Sequence, residues 1–179
     1  MVQSEAWREI LVAIGANLPG PHGRSPLQTC EWAVDRLAAL PGLRLRGVSA
    51  WYETDPIPVA DQPPFVNGVA LLAGETEPEA LLHTLHGIEA AADRLRNVPN
   101  AARTLDLDLI ALDGLVVDSP GLRVPHPRAA ERAFVLVPLC DVAPEWRHPL
   151  LGRTAAELLP SVADQPIRQL ALAGRPSRP

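Results

Sequence analysis

Four prolines within residues 53–64 (ETDPIPVADQPP) constrain the fold more than any other segment. The run lies between two strand-like stretches. Leu43 to Tyr52 sets Leu43, Leu45 and Ser49 against Arg44, Arg46 and Val48, which predicts a strand with one wetter face. Phe65 to Ala73 (FVNGVALLA) predicts another, closed by Gly74. Parallel pairing of two successive strands needs a crossover, usually a helix. Proline at this density cannot build one, because each removes a backbone donor and clashes with the preceding turn. The segment therefore predicts a shaped surface loop and an antiparallel sheet.

The remaining elements fit that reading. Ile10 to Ile14 (ILVAI) ends at Gly15 and predicts a buried strand. Pro26 starts a helical pattern through Leu27, Trp32, Val34, Leu37 and Leu40, stopped by Pro41-Gly42. Pro78 to about Arg96 is the strongest helix, with Leu81, Leu82, Leu85, Ile88 and Leu95 near helical spacing. Thr104 to Leu112 alternates again, and Asp113-Gly114 predicts a hairpin turn into Leu115-Val116-Val117. Beyond the loop VPHPRAAER come an apolar helical stretch, Phe134 to Val142, and a weaker helix near Thr154 to Leu159. Two β-α-β units joined through a strand pair predict an α+β fold. Its core is a ferredoxin-like βαββαβ unit with an antiparallel sheet, an additional hairpin strand and C-terminal helices. A chain of 179 residues predicts one domain over 1–179, with the core at about 10–159 and a tail over 160–179.

Composition removes several chemistries. All 16 basic residues are arginine, which excludes Schiff-base lysine catalysis and the lysine-dependent phosphate loop. The two cysteines, Cys30 and Cys140, form no CxxC pair and suit a reducing compartment. Neither HExxH nor GxSxG occurs. No apolar run approaches the roughly 18 residues of a membrane span, and MVQSEAWREILVAIG lacks a basic leader, so no membrane association and a cytoplasmic location are expected. A net charge of −5 argues against a nucleic-acid partner, although arginines cluster between Arg94 and Arg132.

Three clusters carry candidate chemistry. In Arg103-Thr104-Leu105-Asp106-Leu107-Asp108, alternation sends the leucines into the core and both aspartates to one face. Carboxylates two residues apart lie roughly 7 Å apart at Cα and can converge on a pair of divalent cations. Hard oxygen donors suit magnesium; the alternative is a solvated outer strand face. Arg94, Arg96, Arg103, Arg128 and Arg132 surround the pair, and arginine forks match phosphate oxygens. In the second cluster, Val124-Pro125-His126-Pro127-Arg128, flanking prolines stiffen the backbone of His126. His22, His83, His86 and His148 carry no assignable role. The third cluster is Asp61-Gln62-Pro63-Pro64-Phe65-Val66-Asn67, where Phe65 and Asn67 share a strand face and suit a flat, hydrogen-bonding heterocycle. Phe134, the other of the two phenylalanines, follows the second cluster, so a ring sandwich would fit a planar substrate; the alternative is a core phenylalanine with a turn-stabilising asparagine.

Taken together, AIGANL (13–18), YETDP (52–56), DQPPFVN (61–67), RTLDLDLI (103–110) and VPHPRAAERAFVLVPLCDVAP (124–144) resemble the 6-hydroxymethyl-7,8-dihydropterin pyrophosphokinase family of folate biosynthesis. The resemblance runs from about Ile10 to Leu159. It implies transfer of diphosphate from ATP to the pterin hydroxymethyl group, with release of AMP. Asp106 and Asp108 are then expected to ligate two magnesium ions, with Asp106 also helping to take the hydroxyl proton. Arg94 and Arg103 resemble mobile-loop arginines that close over the nucleotide, and His126 and Arg132 resemble ATP phosphate contacts. Phe65 and Phe134 resemble a stacking pair, Asn67 an edge reader, and the backbone from Thr54 to Ile57 a further wall. Glu89 lies where the family has a supporting carboxylate. The expected partners are ATP and the pterin, with the chain a monomer.

Two departures bear on the lid. Asn97-Val98-Pro99-Asn100-Ala101-Ala102 replaces the Trp-Gly-Pro run that many members carry before this arginine, and Pro127 stands where an aromatic residue is frequent. A noncatalytic ligand-binding module on the same fold is the alternative from another functional class, and γ-phosphoryl transfer giving ADP is the alternative reaction.

Overall fold

The computed structural model describes residues 7–56, 61–93 and 102–171. Five segments of antiparallel ladder build the main sheet. Its central strand β1 (Arg8–Ala16) lies between β4 (Phe65–Gly74) and β5 (Asp106–Leu112). The far side of β4 pairs with both β2 (Leu43–Val48) and β3 (Tyr52–Thr54), and β3 carries β8 (Arg168–Gln169) at the edge.

Helices cover both faces, which explains why the central strands are continuous apolar runs. Ile10, Val12, Ile14, Val66, Leu107 and Leu109 point to one core with α1 (Pro26–Ala38) and α2 (Pro78–Ala91). Leu11, Ala13, Val69 and Ile110 point to a second core under α3 (Ala133–Val142) and α4 (Ala155–Leu158). The start of α1 follows from local chemistry. Ser25 and Gln28 form a reciprocal capping box and Pro26 opens the first turn.

Three expectations change, and the stretch after residue 160 gains definition. The strand expected over Leu43–Tyr52 is broken at Ser49–Trp51: Ser49 Oγ accepts the Val69 amide at 2.9 Å, and Trp51 lies against Gly68, where a Cβ would come within 2.6 Å of the indole. Helix α2 stops at Ala91, with Asp93 at φ 57°, rather than running to Arg96. The expected hairpin from β5 through Asp113-Gly114 does not pair back on β5. Instead β6 (Val117–Ser119) pairs with β7 (Leu122–Val124) in a separate ribbon. The tail expected from residue 160 is packed as far as Leu170. Val162 is buried, β8 extends the sheet, and the Leu170 amide donates to the Trp51 carbonyl at 2.8 Å. Hydrophobic spacing could not reveal that last segment, because much of it is held by backbone and polar side-chain bonds.

Candidate active site

Register brings the three sequence clusters together. Gly15 is the cross-strand partner of Asn67 on β4 and of Asp106 on β5; one pair further, Ala13 partners Val69 and Asp108. Directly paired residues project to the same face, so Asn67, Asp106 and Asp108 share the face covered by α3. That face is not uniformly wet. Its far end is closed by Leu11, Val69 and Ile110 under α3, while Asp106 and Asp108 are only partly buried. The absence of a side chain at Gly15 leaves the row open: a Cβ there would lie 3.2 Å from Asn67 Oδ1 and 4.0 Å from Asp106 Cβ.

The two aspartates differ in environment. Asp106 forms an ion pair with Arg103. At Asp108 burial pushes the carboxyl up to about 6, the charge of Asp106 adds to this, and Arg132 and Arg103 oppose it. Beneath them, on the opposite face, the buried Glu89 of α2 accepts the Leu107 amide at 2.8 Å. The peptide between the two aspartates is therefore anchored from below.

His126 and Arg132 approach from the loop after β7. The β1–β5 ladder slips between Leu11 and Val12, leaving Ile110 as the extra residue, and the Ile110 carbonyl accepts the His126 amide at 2.8 Å. His126 Nδ1 accepts from the Arg128 amide at 3.2 Å, so the neutral ring carries its proton on Nε2. Burial holds this imidazole below its ordinary value, the Arg132 charge adds to that, and Asp106 opposes it. A cleft of about 730 Å³ runs from Asp108 and His126 past Leu109 to Leu82 and His86 of α2 and to Ser119, Leu122 and Arg123 of the ribbon.

On the other side of Gly15, Asn67 is buried and its Nδ2 donates to Thr54 Oγ1 at 2.9 Å. Phe65 shares its face two residues away and is half-buried. Phe134 lies in the first turn of α3, also half-buried, with the Arg132 guanidinium 5.3 Å from its ring centroid. Arg94, Arg96 and Ile57 lie outside the described residues, as does most of the loop that departs from the family pattern.

Sequence reasoning passed over Asn17. Buried at the end of AIGANL, its Oδ1 accepts the Arg103 amide at 2.7 Å and its Nδ2 donates to the Pro63 carbonyl at 3.0 Å. It thus ties the arginine segment to the proline loop. The available signal was a polar residue directly following an apolar strand.

A sequence profile of 7,8-dihydro-6-hydroxymethylpterin-pyrophosphokinase (HPPK) matches residues 11–144. The chain is 42% identical to the 2-amino-4-hydroxy-6-hydroxymethyldihydropteridine pyrophosphokinase of Pseudomonas aeruginosa, across 91% of this chain and 97% of that one. It is 36% identical to the Synechocystis protein of the same name, across 85% and 75%. Among solved structures, Plasmodium falciparum HPPK-DHPS superposes with a TM-score of 0.69 at 12% identity, covering 90% of this chain and 44% of that longer one, a likeness of fold. With a profile spanning most of its length and these relatives, the chain belongs to the 7,8-dihydro-6-hydroxymethylpterin-pyrophosphokinase family.

Proposed function

We propose that this chain transfers diphosphate from ATP to the hydroxymethyl group of 6-hydroxymethyl-7,8-dihydropterin, releasing AMP. One observation carries the reading: Asn67 and Asp106 both pair with Gly15, so an edge reader for a heterocycle and an acidic pair face one opening. Two inter-strand spacings separate their backbones, about 10 Å. A pterin held at Thr54, Asn67, Phe65 and Phe134 directs its hydroxymethyl group toward Asp106. ATP lies in the cleft between α2 and the β6–β7 ribbon, its phosphates toward Asp108, His126 and Arg132.

In the reaction the hydroxymethyl oxygen attacks the β-phosphorus. The bond from that phosphorus to the α–β bridging oxygen breaks, AMP departs with the bond electrons, and the hydroxyl proton leaves toward Asp106. Catalysis of this kind is chiefly alignment and charge stabilisation. Arg132 and the Nε2–H of His126 meet phosphate oxygens, while Arg103, with Arg94 assigned beside it by resemblance, closes over the nucleotide.

Asp106 and Asp108 fit magnesium, for which two ions are proposed. Burial and the neighbouring charge of Asp106 disfavour a bare Asp108 carboxylate, a cost that a bound cation would relieve. Among the described residues no cluster of three His, Cys, Asp or Glu forms a closed metal set. Magnesium ordinarily pairs one or two carboxylates with several waters and substrate phosphate oxygens. When bound, magnesium neutralises the triphosphate and lowers the cost of ionising the hydroxyl.

The antiparallel strand order supports the ferredoxin-like arrangement of two interlocked β-α-β units. The chain is proposed to act as a monomer. No helix among the described residues is long and apolar enough to cross a membrane, and free Cys30 and Cys140 suit the reducing cytoplasm.

The test is AMP production from ATP, measured with and without pterin and with and without magnesium. AMP that needs both supports the reading. ADP in its place identifies γ-transfer, and pterin binding without AMP identifies a binding module; either result overturns it.

A further inference from the structure

We propose that Gln165, from the segment expected to be a tail, is a positioning residue for Arg132 and Phe134. The inference rests on the diphosphate-transfer reading. The side-chain amide of Gln165 grips the backbone on both sides of Arg132: Oε1 accepts the Ala133 amide at 2.9 Å and Nε2 donates to the Glu131 carbonyl at 2.9 Å.

The arrangement resolves a local conflict. A helix leaves its first amides without partners, and an oxygen-bearing side chain at the N-cap ordinarily satisfies one. At α3 the N-cap is Arg132, which carries no acceptor and makes no side-chain cap. The phosphate-binding role thus occupies the position that helix stability would assign to Ser or Asp. Gln165, 32 residues away, supplies the missing acceptor, and its donor fixes the carbonyl one residue before Arg132.

The same strap ties down the opposite wall. Arg168 and Gln169 pair with Glu53 and Tyr52, and Arg168 forms an ion pair with Glu53. The next residue on β3 is Thr54, which holds Asn67. Residues 165–170 therefore link the start of α3 to the strand beneath the proposed pterin edge.

The experiment uses the full chain with Gln165→Met, of similar length but without donor or acceptor, and Gln165→Glu, which keeps the acceptor for Ala133. Assays run at a temperature where circular dichroism finds each variant folded. For Gln165→Met, which loses both hydrogen bonds, KM for ATP and pterin should rise and kcat/KM should fall by about tenfold or more. Gln165→Glu should recover part of that loss. Wild-type KM and kcat in a folded Gln165→Met, with only the melting temperature lowered, would overturn the assignment. Two further readouts do not require turnover: the amide shift and exchange rate of Ala133, and binding of an unreactive ATP analogue by calorimetry. Both should change in Gln165→Met. If wild type makes no AMP while these still respond, the reaction assignment fails and the role of Gln165 stands; if neither responds, Gln165 has no positioning role.

Discussion

Asn67 and Asp106 flank Gly15 from opposite strands, each its direct cross-strand partner, with both side chains on one sheet face. A hydrogen-bonding amide and a carboxylate 39 residues apart in the chain, 106 − 67, thereby come to share one opening.

A side chain at Gly15 should weaken pterin binding. A methyl group there meets Asn67 Oδ1 at 3.2 Å, within reach of small adjustments by the β1 ladders. Gly15→Ala is expected to fold and to bind pterin roughly ten- to a hundredfold more weakly, since small displacements of positioned groups are costly; Gly15→Val should abolish binding. Pterin fluorescence titration measures this, and unchanged affinity in the alanine variant would separate the pterin site from this row.

Loss of either aspartate should stop turnover and leave the fold intact. Asp106→Ala and Asp108→Ala are each expected to cut kcat by about a hundredfold or more. Activity surviving both changes removes the acidic pair from the chemistry.

Asp108 should also carry a stability cost with a defined pH window. Its carboxyl titrates near 6 when folded, against 3.8 ordinarily, so the folded chain holds that proton more tightly. The contribution is most favourable below about pH 4 and is lost as pH rises through 6. In chelator, Asp108→Asn should be more stable than wild type at pH 7.5 by on the order of 2 kcal/mol, with the difference vanishing near pH 4. Urea unfolding at both values decides it; equal stability at pH 7.5 contradicts the raised titration.

Asn17→Ala should affect both substrate walls together. It strands the Arg103 amide and releases Pro63, so about 1–3 kcal/mol of stability should disappear and KM should rise for ATP and pterin alike. Asn17→Asp keeps the acceptor for Arg103 and should preserve more of the ATP affinity. A KM effect on neither substrate would make the bonds purely structural.

Glu89 should matter through the Leu107 amide. Glu89→Ala leaves a buried N–H without its acceptor, at about 1–3 kcal/mol, whereas Glu89→Gln retains an oxygen in that position. The alanine variant is expected to lose kcat and stability, and the glutamine variant largely to restore both. Equal behaviour of the two would assign the effect to charge rather than to the hydrogen bond.

Part of the local geometry at the candidate site is legible in residue order. Alternation in RTLDLDL (103–109) sends Leu105, Leu107 and Leu109 inward, and all three are buried. Short-range patterning works there because a strand's side-chain period is fixed by backbone geometry. The strand over Leu43–Tyr52 failed for a related reason. Its apolar pattern continues through Ser49, but the break depends on Trp51 meeting Gly68 on another strand. The Asp113-Gly114 hairpin failed because turn chemistry specifies a reversal and leaves the choice of pairing partner open. Asn17 and Gln165 were missed because each acts through backbone groups distant in sequence.

Residue order alone determined which chemical groups this protein possesses, which of them alternate to one side of a strand, and that prolines bar a parallel crossover at 53–64. Tertiary structure decided that Gly15 stands between Asn67 and Asp106, that Ile110 bulges to hold His126, and that Gln165 reaches back to the backbone on either side of Arg132. Local geometry repeats with the chain's own period, whereas strand register and long-range hydrogen bonds are set when separate segments pack and their buried polar groups must find partners.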